Sequence, residues 1–123
     1  MMNALVVDDS AVIRKITRRI LENLSFHVDE AADGVEASRV CYEDMPDIIF
    51  LDWNMPEMNG LEFLKDLRNM PFGGEPKVIF VTTENDISRI QCAIEAGADE
   101  YIMKPFNEHI IREKLAQIGM PVD

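Results

Sequence analysis

A chain of 123 residues has room for one domain built around one core. Its net charge of −11 excludes the clustered Lys and Arg surface that a nucleic-acid backbone requires. No apolar run is long enough for a membrane span, and Met1-Met2-Asn3 leads straight into a strand-like segment, so neither membrane insertion nor a secretory leader is expected.

Ala4-Leu5-Val6-Val7 predicts a buried strand that ends in Asp8-Asp9. Ser10 is a good N-cap, and Val12, Ile13, Ile16, Ile20 and Leu24 then recur at helical spacing. From Phe26 to Ala31 the pattern alternates, Phe26 and Val28 against His27 and Asp29, as in an exposed edge strand. Gly34 to Glu43 predicts a weakly amphipathic helix, broken by Asp44-Met45-Pro46. Ile48 to Leu51 is apolar on both faces, as in a central parallel strand, and runs into Asp52. Residues 54–60 form a loop punctuated by Pro56 and Gly60, after which Leu61, Leu64 and Leu67 mark one face of a helix. A turn-rich connector, Pro71 to Pro76, leads to a buried strand from Val78 to Val81 that ends at Thr82-Thr83. Ile87, Ile90 and Ile94 mark another helix, stopped near Gly97. Tyr101-Ile102-Met103 is a short strand ending at Lys104-Pro105, and Asn107 can cap a last helix carrying Ile110, Ile111, Leu115 and Ile118.

Five strand–helix units imply an α/β fold: a five-stranded parallel sheet with five helices covering both faces. In such doubly wound sheets ligands sit beyond the carboxyl ends of the strands. The chemistry should therefore lie at Asp8-Asp9, Asp52, Thr82 and Lys104. Two carboxylates about 4 Å apart repel by roughly 4 kcal/mol at an effective dielectric of about 20. A cluster of three is best explained by a hard cation, and an all-oxygen donor set suits Mg²⁺. A carboxylate already ionised at neutral pH is also a nucleophile toward phosphorus. A metal, an ammonium and a hydroxyl supply the charge neutralisation that phosphoryl transfer needs. Asp8 and Asp9 taken alone would serve equally as turn acids at the start of the first helix. Cys41 and Cys92 lie far apart without a CxxC partner, so two reduced thiols in a cytoplasmic protein are expected, Cys41 facing the core.

The run Asp52-Trp53-Asn54-Met55-Pro56, followed by Met58, Gly60, Leu61 and Glu62, resembles the receiver domain of two-component response regulators. Tyr101, Lys104, Pro105 and Phe106 resemble that family's fifth-strand signature. The likeness covers nearly the whole chain and is strongest to the stand-alone, chemotaxis-type members. It implies the flavodoxin-like strand order 2-1-3-4-5 and a single receiver domain over residues 1–123 with no effector domain. Asp52 would be the phosphoacceptor. Asp9 would bind Mg²⁺ (or Mn²⁺) directly, Asp8 through water, and the Asn54 backbone carbonyl would be a further ligand beside Asp52. Thr82 would hydrogen-bond the phosphoryl group, Thr83 being the competing hydroxyl, and Lys104 would pair with it across a cis Lys104-Pro105 bond. Tyr101 would be the aromatic that turns inward as Thr82 moves. Asn54 and Glu84 stand where the family tunes phosphoryl lifetime, and both match the chemotaxis members, so a short-lived phosphoprotein is expected.

The partners implied are a sensor histidine kinase or histidine phosphotransfer protein and a downstream protein target, a flagellar switch among the options. Arg14, Lys15, Arg18 and Arg19 share one side of the first helix and are either a solvated face or the kinase-docking surface. The output face of helix four, strand five and helix five would include Ile87, Ile90, Tyr101, Met103 and Lys114. Its fourth helix opens with Glu84-Asn85-Asp86, more acidic than chemotaxis relatives, so an acidic motor peptide would meet less complementary charge. The expected protein is a phosphoacceptor, not a turnover enzyme. A phosphate sink or another relay's intermediate is the alternative. An aspartyl-phosphate phosphatase would want a second acid where Asn54 stands. A flavodoxin-like electron carrier would want a phosphate-binding loop where Asp8-Asp9 stand, and an adaptor independent of phosphorylation would not need the complete site.

Overall fold

The computed structural model describes residues 2–55, 58–83 and 87–122, and strand and helix alternate along them as the apolar pattern requires. In chain order the elements are β1 (Asn3–Val7), α1 (Ala11–Asn23), β2 (His27–Ala31), α2 (Gly34–Glu43), β3 (Ile48–Asp52), α3 (Gly60–Arg68), β4 (Lys77–Thr82), α4 (Ile87–Glu95), β5 (Glu100–Met103) and α5 (Glu108–Gln117). The five strands form one parallel sheet in the order β2-β1-β3-β4-β5. Lys104-Pro105 is cis.

Strand alternation divides the core in two. Leu5, Val7, Ile49, Leu51, Val78 and Phe80 point to one face, where Ala37 and Cys41 of α2, Phe63, Leu64 and Leu67 of α3, and Ala93 of α4 meet them. Ala4, Val6, Ile48, Phe50, Ile79 and Val81 point to the other, against Leu21 of α1 and Ile111 and Leu115 of α5. Burial on both faces is why the central strands read as unbroken apolar runs. Each fully buried Leu, Ile or Phe contributes about 1.5–3 kcal/mol, so the rim residues rest on the most strongly held part of the sheet.

Helix starts are set by short polar side chains. Ser10 accepts from the Ile13 amide, Asp33 from Glu36 and Asn107 from Ile110, while Asn59 and Glu62 form a reciprocal capping box at α3. The apolar spacing mislocates the buried face of α1. On α1, Val12 and Ile16 are exposed and the buried stripe runs through Thr17 and Leu21. Thr17 is tolerated there because its hydroxyl donates to the Ile13 carbonyl oxygen at 2.8 Å. On α4, Ile87 is 70% exposed and Ile94 is also exposed, whereas the small Ala93 faces the sheet. A small residue lets the helix sit close above Phe80, and the larger apolar side chains are left on the outer side.

Both cysteines are free, Cys41 buried and Cys92 exposed. Burial pushes the Cys41 thiol up to about 11, which keeps it protonated. Arg68 at the end of α3 ties down two connections at once. It donates to the Gly73 and Pro76 carbonyls at 2.9 and 2.8 Å and to the Gly97 carbonyl from both Nε and Nη2. Gly97 has φ +112°, a left-handed conformation that favours glycine at this helix end.

Candidate functional site

Parallel register gathers the polar residues. Val7 pairs with Leu51, Leu51 with Phe80 and Thr82 with Met103, so Asp8, Asp52, Thr82 and Lys104 leave the sheet at one rim. The Lys104 amide donates to the Thr82 carbonyl oxygen at 2.8 Å, which carries the β4–β5 ladder to the site itself. Asp8, Asp52 and Thr82 are buried, while Asp9 is exposed.

One carboxylate oxygen from each of Asp8, Asp9 and Asp52 can be chosen so that all lie within 4.8 Å of one another. Oxygens around one Mg²⁺ at about 2.1 Å are at most about 4.2 Å apart. The all-oxygen donor set therefore fits a small hard cation once the side chains draw together around it. Lys104 Nζ reaches 3.0 Å from Asp8 Oδ2 and 3.3 Å from Asp52 Oδ1. A single ammonium against three carboxylates leaves the cluster net negative. Burial, then repulsion from Asp8, pushes the Asp52 carboxyl up to about 6, with Lys104 opposing and Asp9 adding to the rise. Burial also works against the Lys104 charge, but its hydrogen bond to Asp8 and the field of both acids hold its pKa above the ordinary value.

The acids are held by backbone as well as by charge. The Asp8 carboxylate accepts from the Ser10 amide at 2.9 Å, and the Asp8 amide donates to the Ala31 carbonyl at 3.1 Å. Behind Asp52 the Gly60 amide donates to the Trp53 carbonyl at 2.9 Å and folds the start of α3 against the strand end. A Cβ at Gly60 would collide with the Asp52 carbonyl oxygen and come within 2.8 Å of the Phe80 ring. Gly60→Ala is therefore expected to cost about 1–3 kcal/mol in urea unfolding and to weaken Mg²⁺ binding measured by calorimetry, because the clash moves Asp52 itself. Unchanged unfolding and binding would show that this approach is not tight.

Asn54 lies exposed in the loop directly after β3, and Glu84 lies outside the described residues. Tyr101 is half-buried, with the Lys114 ammonium 4.9 Å from its ring centroid. A small gap lined by Trp53, Phe80, Thr82, Arg89, Ile90, Ala93 and Tyr101 separates Tyr101 from the rim hydroxyl. Arg89 stands 5.4 Å over the Trp53 ring. Ile87 and Met103 are exposed and Ile90 is half-buried, so α4 and β5 present an apolar outer surface. Lys114 is paired with Glu100 at 3.5 Å, which leaves little net positive charge there.

The basic side of α1 is mostly engaged within the chain. Arg14, Lys15 and Arg18 converge on Glu30 of β2 at 3.1, 2.9 and 2.8 Å. Burial alone would raise the Glu30 carboxyl, but hydrogen bonds from Lys15, Arg18 and Arg14 outweigh it and hold it at about 2. Arg19 is exposed and forms no ion pair with a described residue. A charge reversal at Arg18 would set a new acid against Glu22 and Glu30, whereas one at Arg19 breaks no ion pair with a described residue. Neither Glu30 nor Arg68 stands out in the sequence reading. The signal for Glu30 was strand parity: it shares a face with Phe26 and Val28, which turns it inward toward α1.

The sequence pattern described as "Response regulator receiver domain" matches residues 4–116. Chemotaxis protein CheY1 of Helicobacter pylori is 40% identical over 116 residues, covering 93% of this chain and 94% of that protein. A chemotaxis protein CheY homolog of Campylobacter jejuni is 41% identical over 121 residues, covering 95% of this chain and 92% of its own length. Among solved structures, the chemotaxis protein CheY4 of Vibrio cholerae superposes with a TM-score of 0.91 at 33% identity, covering 96% of this chain and 98% of that one.

Proposed function

The chain belongs to the response regulator receiver domain family and is CheY-like, and from that premise we propose that it is a chemotaxis-type phosphoacceptor in which Asp52 takes a phosphoryl group from a phosphohistidine. The observation that carries this reading is the Lys104 ammonium held between the buried carboxylates of Asp8 and Asp52 at the ends of neighbouring strands. In the transfer an Asp52 carboxylate oxygen forms a bond to phosphorus as the N–P bond of the donor breaks. The imidazole leaves neutral, with its proton on the other ring nitrogen. Asp52 must be ionised to attack, and Lys104 favours that form. Lys104 and the Thr82 hydroxyl would take the phosphoryl oxygens as charge reaches the rim.

Asp8, Asp9, Asp52 and the Asn54 carbonyl are the groups that would hold Mg²⁺ (or Mn²⁺). Bound there, the cation neutralises the acids and the incoming phosphoryl oxygens. Hydrolysis of the acyl phosphate ends the signal, with Asn54 and Glu84 setting its lifetime. The protein then works as a self-modifying carrier in the cytoplasm, not as a turnover enzyme. Among the described residues no helix is long and apolar enough to cross a membrane. The readout is a protein bound by the surface of α4, β5 and α5, reached when Thr82 draws toward the phosphoryl group and Tyr101 moves into the gap beside it.

Incubation with acetyl phosphate and Mg²⁺, followed by intact mass, tests the reading. One added phosphoryl group is expected, dependent on the metal, and fragmentation should place it on the peptide containing Asp52. No mass change in a folded sample would refute it. Steady hydrolysis of a small phosphate ester would favour a phosphatase instead.

A further inference from the structure

Among the described residues, Arg14 is the cation of α1 that joins Glu30 to the backbone at the end of β1. Its Nε donates to Glu30 Oε1 at 3.1 Å, and its Nη1 donates to the Asp8 carbonyl oxygen at 2.7 Å. That carbonyl belongs to the peptide unit that joins Asp8 to Asp9. The Asp8 side chain has its own anchors, the Ser10 amide and Lys104. Asp9 is exposed and takes no hydrogen bond from another described residue, so its place in the acid cluster is set through the backbone. Glu30 cannot swing away from Arg14, because its second oxygen accepts from Lys15 at 2.9 Å and Arg18 at 2.8 Å.

We propose that Glu30 is a positioning residue for the cation site: acting through Arg14, it fixes the peptide that carries Asp9 and so sets how tightly the acids close on a divalent cation. The inference rests on the proposed function, since it needs that cation. Glu30 touches neither the acids nor the reacting atoms. Its influence is mechanical and passes through one guanidinium fork, whose planar geometry serves a carboxylate and a carbonyl together.

Position and charge predict opposite signs at Arg14. If Glu30 and Arg14 acted only through their fields, loss of the negative charge would weaken cation binding and loss of the positive charge would strengthen it. If they act by position, both losses weaken it.

The test is titration of Mg²⁺ alone into the full chain, followed by Trp53 fluorescence and calorimetry, with circular dichroism confirming the fold of each variant. Glu30→Gln and Arg14→Met should each raise Kd by about tenfold. The double variant should lose no more than either single one, because both break one link. Arg14→Lys should behave like Arg14→Met, since it keeps the charge but not the fork. Asp29→Asn removes the same charge from the neighbouring, exposed position on β2 and should leave Kd within about twofold. If Glu30→Gln does not fold, Glu30→Asp takes its place and should weaken binding while keeping the charge. Arg14→Met binding as tightly as the parent or more so, or a double variant whose loss is the product of the two, overturns the positioning role alone. A folded parent chain that binds no Mg²⁺ at millimolar concentration overturns the proposed Mg²⁺-dependent phosphoacceptor function, and the inference falls with it.

Discussion

Asp52→Asn should make the metal-free protein more stable while abolishing its phosphorylation. Folding buries the Asp52 carboxyl beside Asp8 and moves it from 3.8 up to about 6. A shift of that size penalises the charged form by roughly 3 kcal/mol. The folded-state pKa lies above the unfolded one, so the native state binds the proton more tightly. The penalty is absent below about pH 4, grows as pH rises through about 6, and is complete above it. Wild-type urea midpoints should therefore rise on acidification from about pH 7.5 to about pH 5, and those of Asp52→Asn should not. Glu30, held at about 2, loses its contribution only as pH falls from about 4.5, below that window. At pH 7.5 the variant should be the more stable by up to about 3 kcal/mol, a figure in which the opposing pairing with Lys104 is already counted. Identical pH dependence in the two proteins would show that Asp52 is not strained by its neighbours. The same variant should show no mass gain with acetyl phosphate, since an amide is not a nucleophile toward phosphorus at neutral pH.

That trade between stability and function was visible in the sequence as two apolar runs, each ending in acid. The alternation of buried strands and capped helices was legible for a physical reason. Burial on both sheet faces leaves unbroken apolar runs, and helix starts need a short side-chain acceptor, which Ser10 and Asn107 provide. The fold's strand order came from the family resemblance, because periodicity does not say which strands are neighbours. The acids, Thr82 and Lys104 could be placed together because all sit where an apolar run stops. The face of α1 was read wrongly where Val12 and Ile16 stand outside, and on α4 Ile87 and Ile94 also stand outside. Thr17 and Ala93 occupy the inner positions, one satisfied by its own helix backbone and the other small enough for close packing. The fate of the basic residues on α1 was hidden because their partner lies on another element. Lys15 and Glu30 are 15 residues apart in sequence and 2.9 Å apart in space.

Lys104→Met should produce the largest loss of function that leaves the acceptor itself intact. Lys104 Nζ is the cation that touches both Asp8 and Asp52, and the three side chains are 18%, 4% and 8% exposed. Removing one partner from a buried charged group typically costs about 3–5 kcal/mol, because the remaining charge stays behind unpaired. In the metal-free variant Asp52 loses the interaction that lowers its pKa and should titrate above about 6, so a larger share of the acceptor is protonated at neutral pH. Loss of a preorganised charge at developing phosphoryl oxygens adds a rate penalty of about 10²–10³. Initial rates of mass gain with acetyl phosphate should fall by that factor at saturating Mg²⁺. The stability loss should be partly reversed by Mg²⁺, since the cation relieves the repulsion that Lys104 otherwise offsets. Lys104→Arg should recover more of the stability than of the rate, because the guanidinium keeps the charge but cannot place it where the compact ammonium stands. Phosphorylation of Lys104→Met within about threefold of the parent would contradict the rate penalty expected from electrostatic stabilisation. Lys104 would then be a structural counter-ion to Asp8, and charge neutralisation at the phosphoryl group would fall to the cation and Thr82.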